Sequence, residues 1–201
     1  MKINEMRKKS IWQTALPIVL AAAVLLCGVM ILTACTDKGD LWIETAKLDA
    51  VWSLAWASGA NGMVAGQVLD LTDFGHDHET LTTLCDRKTC FMIKAAAELG
   101  CAAANASPGL TAALALYASR LGLAFQIRDD VLDVVGDEAT FGKPIGSDKE
   151  EGKTTFVDLL GVDGCEREVR RLTDEAVDAL RGVGDAAFLT ELARRLTERT
   201  K

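Results

Sequence analysis

The sequence has few aromatic residues, few prolines and few residues that favour β-strands. Phe, Trp and Tyr make up 5% of its 201 residues, and it contains 3 prolines. Alanine, a strong helix former, is abundant, so the composition argues against a β-rich fold and predicts an all-α domain. Because 49% of the residues are hydrophobic, the chain can bury one globular core.

Paired cysteine motifs are also missing. The six cysteines, at positions 27, 35, 85, 90, 101 and 165, form no CxxC pair and have no histidine at metal-ligand spacing. This pattern argues against a zinc site and against a disulfide scaffold. Cys85, Cys90 and Cys101 lie in apolar helical stretches, where we expect small core residues in a reducing compartment.

No excess of basic residues is present that would attract a nucleic acid. The net charge is -7, and no helix carries a basic stripe. This charge argues against nucleic acid as a partner.

The first 35 residues have the pattern of a signal or membrane-spanning segment. Basic residues precede an apolar run from Ile11 to Ala34, and residues 32–35 resemble a bacterial lipobox that would place a lipid on Cys35. Two other interpretations fit the same pattern. The segment is a buried helix of the domain, or it results from an altered gene start. We expect a polar joint at 36–50 and a domain at 51–201.

Three aspartates and a glutamine form one patch in the helical stretch before a glycine-rich loop. Asp129 and Asp133 lie one turn apart with Asp130 beside them, and Gln126 lies one turn earlier. Neighbouring like charges oppose helix formation, by up to about 4 kcal/mol for a close pair near a surface. The patch therefore predicts a cation, and its oxygen ligands favour Mg²⁺ with substrate phosphates.

The loop after this patch offers complementary charge. Lys143 and Lys153 stand among glycines close to the carboxylates, and a diphosphate would use both ammonium groups. The segment GSDKEEGKT imitates a Walker A loop, but five residues separate its two glycines where the P-loop has four. Three acidic residues within it would repel phosphate, so a P-loop is rejected.

The segment FQIRDDVLDVVGD, followed by GKPIGSD and EGKTT, resembles the second aspartate-rich motif and following loop of the trans-prenyltransferases, the farnesyl and geranylgeranyl diphosphate synthase family. GANGMVAGQVLDL at 59–71 and RKT at 87–89 agree with this resemblance. It implies an all-α isoprenoid-synthase-type bundle, of which residues 51–201 would be the C-terminal portion, preceded by an apolar N-terminal helix.

The resemblance also implies an activity and its residues. Prenyl transfer condenses an allylic diphosphate with isopentenyl diphosphate, depends on Mg²⁺ and takes place in the cytoplasm. The implied metal ligands are Asp129, Asp130, Asp133 and Asp70; the implied substrate contacts are Lys88, Thr89, Gln67, Gln126, Lys143 and Lys153; and the implied catalytic residues are Asp129, Asp130, Lys88 and Lys153.

The family's first aspartate-rich motif, expected upstream of Gln67, is not found in these 201 residues. We therefore expect weak or no turnover by the chain alone. A partner chain that supplies the N-terminal half would complement it, whereas in a homodimer each copy lacks the same motif. Two alternatives stay open. One is a non-catalytic protein held at a membrane through residues 11–34, and the other is a class I terpene synthase.

Local patterns predict the remaining elements. We expect one helix over 81–104, a helix start at Ser107 and Pro108, and two supporting helices after the loop.

Trp42, Trp52 and Trp56 are expected to pack in the core. Gly59, Gly62 and Gly66 predict close approach of a neighbouring helix, whereas the cluster Asp73, His76, Asp77 and His78 is interpreted as a loop rather than a metal site.

Overall fold

The computed structural model describes residues 41–72, 75–135 and 153–199, with the backbone alone for 41–44. This part of the chain contains α-helices and one π-helical turn, Asp86–Cys90, and no strand, which confirms the all-α prediction. In chain order the helices are α1 Leu41–Ser58, α2 Met63–Asp70, α3 His78–Cys85, α4 Phe91–Ala103, α5 Pro108–Val135, α6 Phe156–Ala179 and α7 Ala187–Thr197.

Helix α5 is the centre of the bundle. It packs most extensively on α6 and also contacts α4, α7 and the π turn. Ala124, Ile127 and Val131 are completely buried where these elements meet. Within the described ranges, α5 is the one helix long and apolar enough to cross a membrane by length and composition. Its buried face identifies it as the core helix of this bundle, since such a helix passes the same composition test.

The outer helices α1 and α7 pack on different helices of the bundle. Helix α1 lies against α4, where Ala57, Met92 and Ala95 form a small buried cluster. Helix α7 packs on α5 and α6, and the hydroxyl of buried Tyr117 donates to the carbonyl of Leu189 at 2.7 Å. A second apolar cluster joins α7 to the middle of α5 and to α6; its buried members include Tyr117, Leu121, Ala176, Leu180 and Ala193.

Local capping sets where three helices begin. The Ser107 hydroxyl accepts from the Leu110 N–H at 3.2 Å, which confirms the predicted start of α5. Asp77 and Thr155 each form a capping box, at the starts of α3 and α6 respectively. The loop interpretation of 76–77 is thus refined, because Asp77 caps a helix and His78 is its first residue.

The predicted helix over 81–104 is observed as an unbroken helical stretch from His78 to Ala103, but it is not uniform. A π-helical turn, Asp86–Cys90, separates α3 from α4. Such turns are inserted single turns that often lie at functional sites. Here the turn carries Lys88 and Thr89, and α2 lies directly against it.

Gly66 is what allows α2 to approach the π turn. A Cβ added at Gly66 would lie 2.3 Å from the Lys88 nitrogen and 2.5 Å from its Cα. No side chain fits in that space, so the close approach predicted from the spaced glycines is confirmed at this position.

The cysteines of the described part are buried and unpaired in disulfides: Cys85, Cys90, Cys101 and Cys165. The predicted role of Cys85, Cys90 and Cys101 as small core residues is confirmed, and Cys165 is buried as well. Burial, assisted by nearby carboxylates, raises the pKa of the Cys165 thiol to about 11. This thiol is therefore protonated and unreactive at neutral pH.

The prediction that the tryptophans pack in the core is wrong for Trp52 and Trp56. Their exposed fractions are 68% and 48%, and their rings stack on each other with centroids 6.1 Å apart. Both line an open groove between α1 and α4, whereas Leu54 and Ala57 pack in the apolar cluster with Met92 and Ala95. The helical period was read correctly, but the buried side of α1 is lined by smaller residues.

Other predictions concern residues outside the described ranges. They include the signal-like segment at 1–35, Lys143, Asp73 and the side chain of Trp42. Helix α1 begins at Leu41, so residues 41–50 of the predicted joint are helical.

Candidate active site

Two lysines converge on one carboxylate at the edge of α2. Lys88 Nζ lies 2.7 Å from Asp70 Oδ2, and Lys153 Nζ lies 3.4 Å from the same oxygen. The Asp70 side chain is 11% exposed, and those of Lys88 and Lys153 are 28% and 27% exposed. Two ammonium groups are therefore gathered in a half-buried position, which is an arrangement suited to an anion with several oxygens.

Three separate elements bring these side chains together. Asp70 is the last residue of α2, Lys88 lies in the π turn, and Lys153 lies two residues before Thr155, the cap of α6. Gly66 lets α2 lie on the π turn, so Asp70 reaches Lys88. The Thr155 capping box fixes the backbone two residues after Lys153.

The electrostatics of Asp70 reflect this pairing. Burial raises the pKa of a carboxyl, but the charges and hydrogen bonds of Lys88 and Lys153 together outweigh burial and hold the pKa of Asp70 below its ordinary value. A carboxyl with a lowered folded-state pKa adds stability that is fully present above its unfolded pKa of about 4. That contribution is lost as the pH falls through the lower pKa of the folded protein.

Replacement of Asp70 by asparagine is therefore expected to have a pH-dependent cost. At pH 6 the variant should lose about 2 kcal/mol of unfolding free energy, because charged hydrogen bonds to both lysines weaken. The difference from wild type should shrink as the pH is lowered from about 4 toward 3. Urea unfolding at several pH values measures it.

An exposed ion pair supplies the control for this measurement. Asp178 pairs with Arg181 at 2.7 Å, with side chains 56% and 80% exposed. Asp178→Asn should cost less than about 1 kcal/mol at every pH. A cost for Asp70→Asn that stays constant down to pH 3 would contradict the assigned charge pairing.

A hydrogen-bonded chain links the π turn to the aspartates of α5. Thr89 Oγ1 donates to Gln126 Oε1 at 3.3 Å, and Gln126 Nε2 donates to Asp130 Oδ1 at 3.3 Å. The second oxygen of Asp130 accepts from the backbone N–H of Phe156 at 3.0 Å. Asp130 is 8% exposed, so one buried carboxylate connects the π turn, α5 and the start of α6.

The other two aspartates of the patch point to different surroundings. Asp129 forms an ion pair with Arg199, near the chain end. Asp133 is buried, with 2% exposure. Gln67 is half-buried on α2, less than one turn before Asp70.

The carboxylates are not gathered into a complete metal cage. Among the described residues, no group of three or more His, Cys, Asp or Glu side chains could hold a metal ion. The donor chemistry of Asp129 and Asp130 nevertheless suits Mg²⁺, which commonly takes one or two carboxylates and completes its shell with substrate phosphates and water. The metal-ligand roles of Asp129, Asp130, Asp133 and Asp70 stay predictions.

Sequence patterns missed two residues that contact the predicted site. The Nδ1 atom of His76 lies 2.6 Å from Thr154 Oγ1, beside Lys153, and Arg199 reaches Asp129. Each contact joins residues at least 70 positions apart. Their only sequence signals are a histidine in a polar loop and a basic chain end, both of which are ordinary on protein surfaces.

The chain matches known proteins along most of its length. The family model described as Polyprenyl synthetase matches residues 7–187. Farnesyl diphosphate synthase of Escherichia coli (strain K12) is 39% identical over 163 residues, covering 77% of this chain and 54% of that protein. The enzyme of the same name from Geobacillus stearothermophilus is 35% identical over 161 residues, covering 77% and 53%.

Solved structures agree with the sequence comparisons. An FPP/GFPP synthase from Zymomonas mobilis superposes with a TM-score of 0.65 at 32% identity, covering 76% of this chain and 51% of that one. A geranyltransferase from Helicobacter pylori, complexed with magnesium and isoprenyl diphosphate, gives 0.67 at 27% identity, covering 85% and 55%. The chain spans about half the length of these relatives.

Proposed function

The chain belongs to the polyprenyl synthetase family, and from this premise we propose that it binds the diphosphate of an allylic substrate for prenyl transfer in isoprenoid biosynthesis. The observation that carries the proposal is the convergence of Lys88 and Lys153 on one oxygen of Asp70. A diphosphate oxygen can take the place of that carboxylate oxygen as the shared acceptor. Thr89 and Gln126 lie beside Lys88 as further polar contacts.

In the proposed reaction the carbon–oxygen bond of the allylic diphosphate breaks and the diphosphate leaves with the electron pair. Lys88 and Lys153 neutralise the negative charge that grows on the leaving group, which lowers the barrier. The double bond of isopentenyl diphosphate attacks the allylic cation, and loss of a proton yields an allylic diphosphate five carbons longer. We include Lys143, from outside the described ranges, among the proposed diphosphate contacts.

The carboxylate oxygens of the α5 aspartates are ligands that suit Mg²⁺. When bound, it would supply positive charge to the departing diphosphate. Asp129 and Asp130 would hold it, with Asp133 and Asp70 as the further predicted ligands. Asp130 is already fixed by the Phe156 N–H and Gln126, so its carboxylate needs no ordering before a ligand arrives.

The test is diphosphate binding to lysine variants of the whole chain. We expect Lys88→Ala and Lys153→Ala each to weaken binding of inorganic diphosphate and of geranyl diphosphate by about 10- to 100-fold. The basis is that charged hydrogen bonds contribute about 1.5–3 kcal/mol and 1.4 kcal/mol is tenfold. Isothermal titration calorimetry measures this.

Lys94→Ala is the matched control, since Lys94 is on α4 and pairs with Glu98 at 3.6 Å. It should bind diphosphate like wild type. Equal affinity of all three variants and wild type would overturn the proposed site. Prenyl transfer is then assayed with isopentenyl diphosphate, with and without Mg²⁺, and a metal-dependent product that Asp129→Ala loses would support the full reaction.

The proposal includes a complement for the chain, a partner polypeptide that carries another aspartate-rich motif. A homodimer is the alternative assembly, although a second copy has the same motifs as the first. Light scattering of the purified chain distinguishes a monomer from a homodimer. The homodimer version is rejected if the chain stays monomeric at assay concentrations and in the presence of substrate.

A further inference from the structure

The segment that follows α7 is fastened across the helix that carries the aspartate patch. Arg128 Nε donates to the carbonyl of Thr197 at 2.6 Å, and the Thr197 side chain is buried. Two residues later, Arg199 pairs with Asp129 and its guanidinium lies 4.1 Å from the centre of the Phe125 ring. The chain end therefore contacts three positions on adjacent turns of α5.

The contact between Arg199 and Asp129 is substantially removed from water. Their side chains are 23% and 28% exposed, so the pair is less screened than an ion pair on an open surface. The charge of Arg199 is also favoured by the face of the Phe125 ring. The crowded carboxylates of α5 predicted a nearby cation, and in this structure Arg199 supplies one.

The fit of Arg199 is nevertheless imperfect. Its Nη2 bonds to Asp129, but its Nε is buried and has no hydrogen-bond partner among the described residues. A bidentate pair would use more of the guanidinium donors. A buried donor without a partner costs free energy, and this cost favours exchange of Arg199 for a better ligand of Asp129.

We infer that Arg199 is an internal counter-ion of Asp129 that competes with a divalent metal ion for this carboxylate. The inference rests on the proposed function, in which Asp129 is a metal ligand. When the metal binds, Arg199 leaves Asp129 and the segment after α7 loosens from α5. Arg199 thus keeps the carboxylate neutralised and ordered in the ligand-free chain and lowers its affinity for metal.

If Arg199 competes with the metal, its removal should raise the affinity of the chain for divalent metal. If Arg199 only stabilised the fold, its removal would not raise that affinity. We expect Arg199→Ala to bind Mn²⁺, used as a spectroscopic substitute for Mg²⁺, about 3- to 10-fold more tightly than wild type. This range corresponds to removal of a partly buried ion pair from the competition. Electron paramagnetic resonance of free Mn²⁺ in titrations of the full chain measures the affinity.

Two variants make the titration decisive. Arg195→Ala removes an exposed arginine that pairs with Glu191 at 2.6 Å on α7, and it should bind Mn²⁺ like wild type. Asp129→Asn should bind Mn²⁺ more weakly. If Asp129→Asn binds Mn²⁺ more weakly, but Arg199→Ala binds Mn²⁺ only as tightly as wild type or less tightly, the competition is refuted. If Asp129→Asn binds like wild type, Asp129 is no metal ligand and the proposed metal site fails together with the inference.

Wild-type protein provides a second readout that needs no variant to fold. Trypsin cleaves after Arg199 only when the Arg199 side chain can enter the specificity pocket of the protease. The ion pair with Asp129 should therefore protect the peptide bond between Arg199 and Thr200. We expect saturating Mg²⁺ to speed loss of the last two residues several-fold, as followed by mass spectrometry, with a reference peptide to correct for changes in trypsin itself. An unchanged rate would overturn the inference.

Discussion

Gly66→Ala is expected to destabilise the protein by about 2–3 kcal/mol and to weaken diphosphate binding. The added Cβ would lie 2.3 Å from the backbone nitrogen of Lys88, a distance that only movement of α2 or the π turn can relieve. Forcing extra volume into a packed contact costs up to about 3 kcal/mol or more, whereas alanine regains at most about 1 kcal/mol of helix propensity. The clash therefore outweighs the propensity gain.

The binding defect has a specific cause. Movement of α2 away from the π turn would separate Asp70 from Lys88, which now lie 2.7 Å apart. Thermal or urea unfolding gives the stability change, and calorimetry with inorganic diphosphate gives the affinity.

Gly100→Ala is the matched control because Gly100 is an exposed residue of α4 whose added Cβ would meet no atom within 4 Å. It should stabilise the chain by about 0.5–1 kcal/mol. If Gly66→Ala were equally stabilising, the close approach of α2 to the π turn would be contradicted.

Asp130→Ala should lower the free energy of unfolding by about 2–3 kcal/mol. It should also weaken the proposed metal binding. The substitution leaves the N–H of buried Phe156 without its 3.0 Å acceptor and removes the partner of Gln126. A buried donor left without an acceptor costs about 1–3 kcal/mol. The carboxylate also lies at the N-terminus of α6, where negative charge contributes a further fraction of a kcal/mol or more.

Asp130→Asn separates the structural role of this residue from its chemical role. The amide oxygen can still accept from Phe156, so the stability cost should fall to roughly half that of alanine. Loss of the charge should still weaken Mn²⁺ binding. Asp174→Ala, on the exposed side of α6, should change stability by less than about 0.5 kcal/mol. An Asp130→Ala variant as stable as wild type would refute the stabilising role of the hydrogen bond between Asp130 and the Phe156 N–H.

The exposed Trp52 shows where sequence reasoning about the fold stopped. A helical period in this segment is correct, since α1 runs through it. The period alone does not say how deeply a neighbour will cover each residue. Leu54 and Ala57 pack in the cluster with α4, whereas Trp52 and Trp56 line the open groove beside it. Hydrophobicity normally identifies the buried face, but small residues allow closer helix packing and can be preferred at the contact.

The aspartate patch shows the same division within the site. Its helical spacing places Asp129 and Asp130 side by side, yet in the structure they serve different partners. Asp129 pairs with Arg199, whereas Asp130 accepts from Phe156. The direction of each carboxylate depends on the helix packed next to it, and no local pattern contains that information.

The sequence by itself determined the helical class and the start of α5 at Ser107, and it supplies the residue types of the proposed diphosphate and metal site. These features depend on interactions within a few residues, such as helical periodicity, capping and like-charge repulsion, so the local order of residues is sufficient. Only the tertiary structure decided that Lys88 and Lys153 share one oxygen of Asp70, that Gly66 makes this meeting sterically possible, and that Arg199 covers Asp129. These contacts span up to 83 residues, and they form only where packed helices bring distant backbones to within a few ångströms.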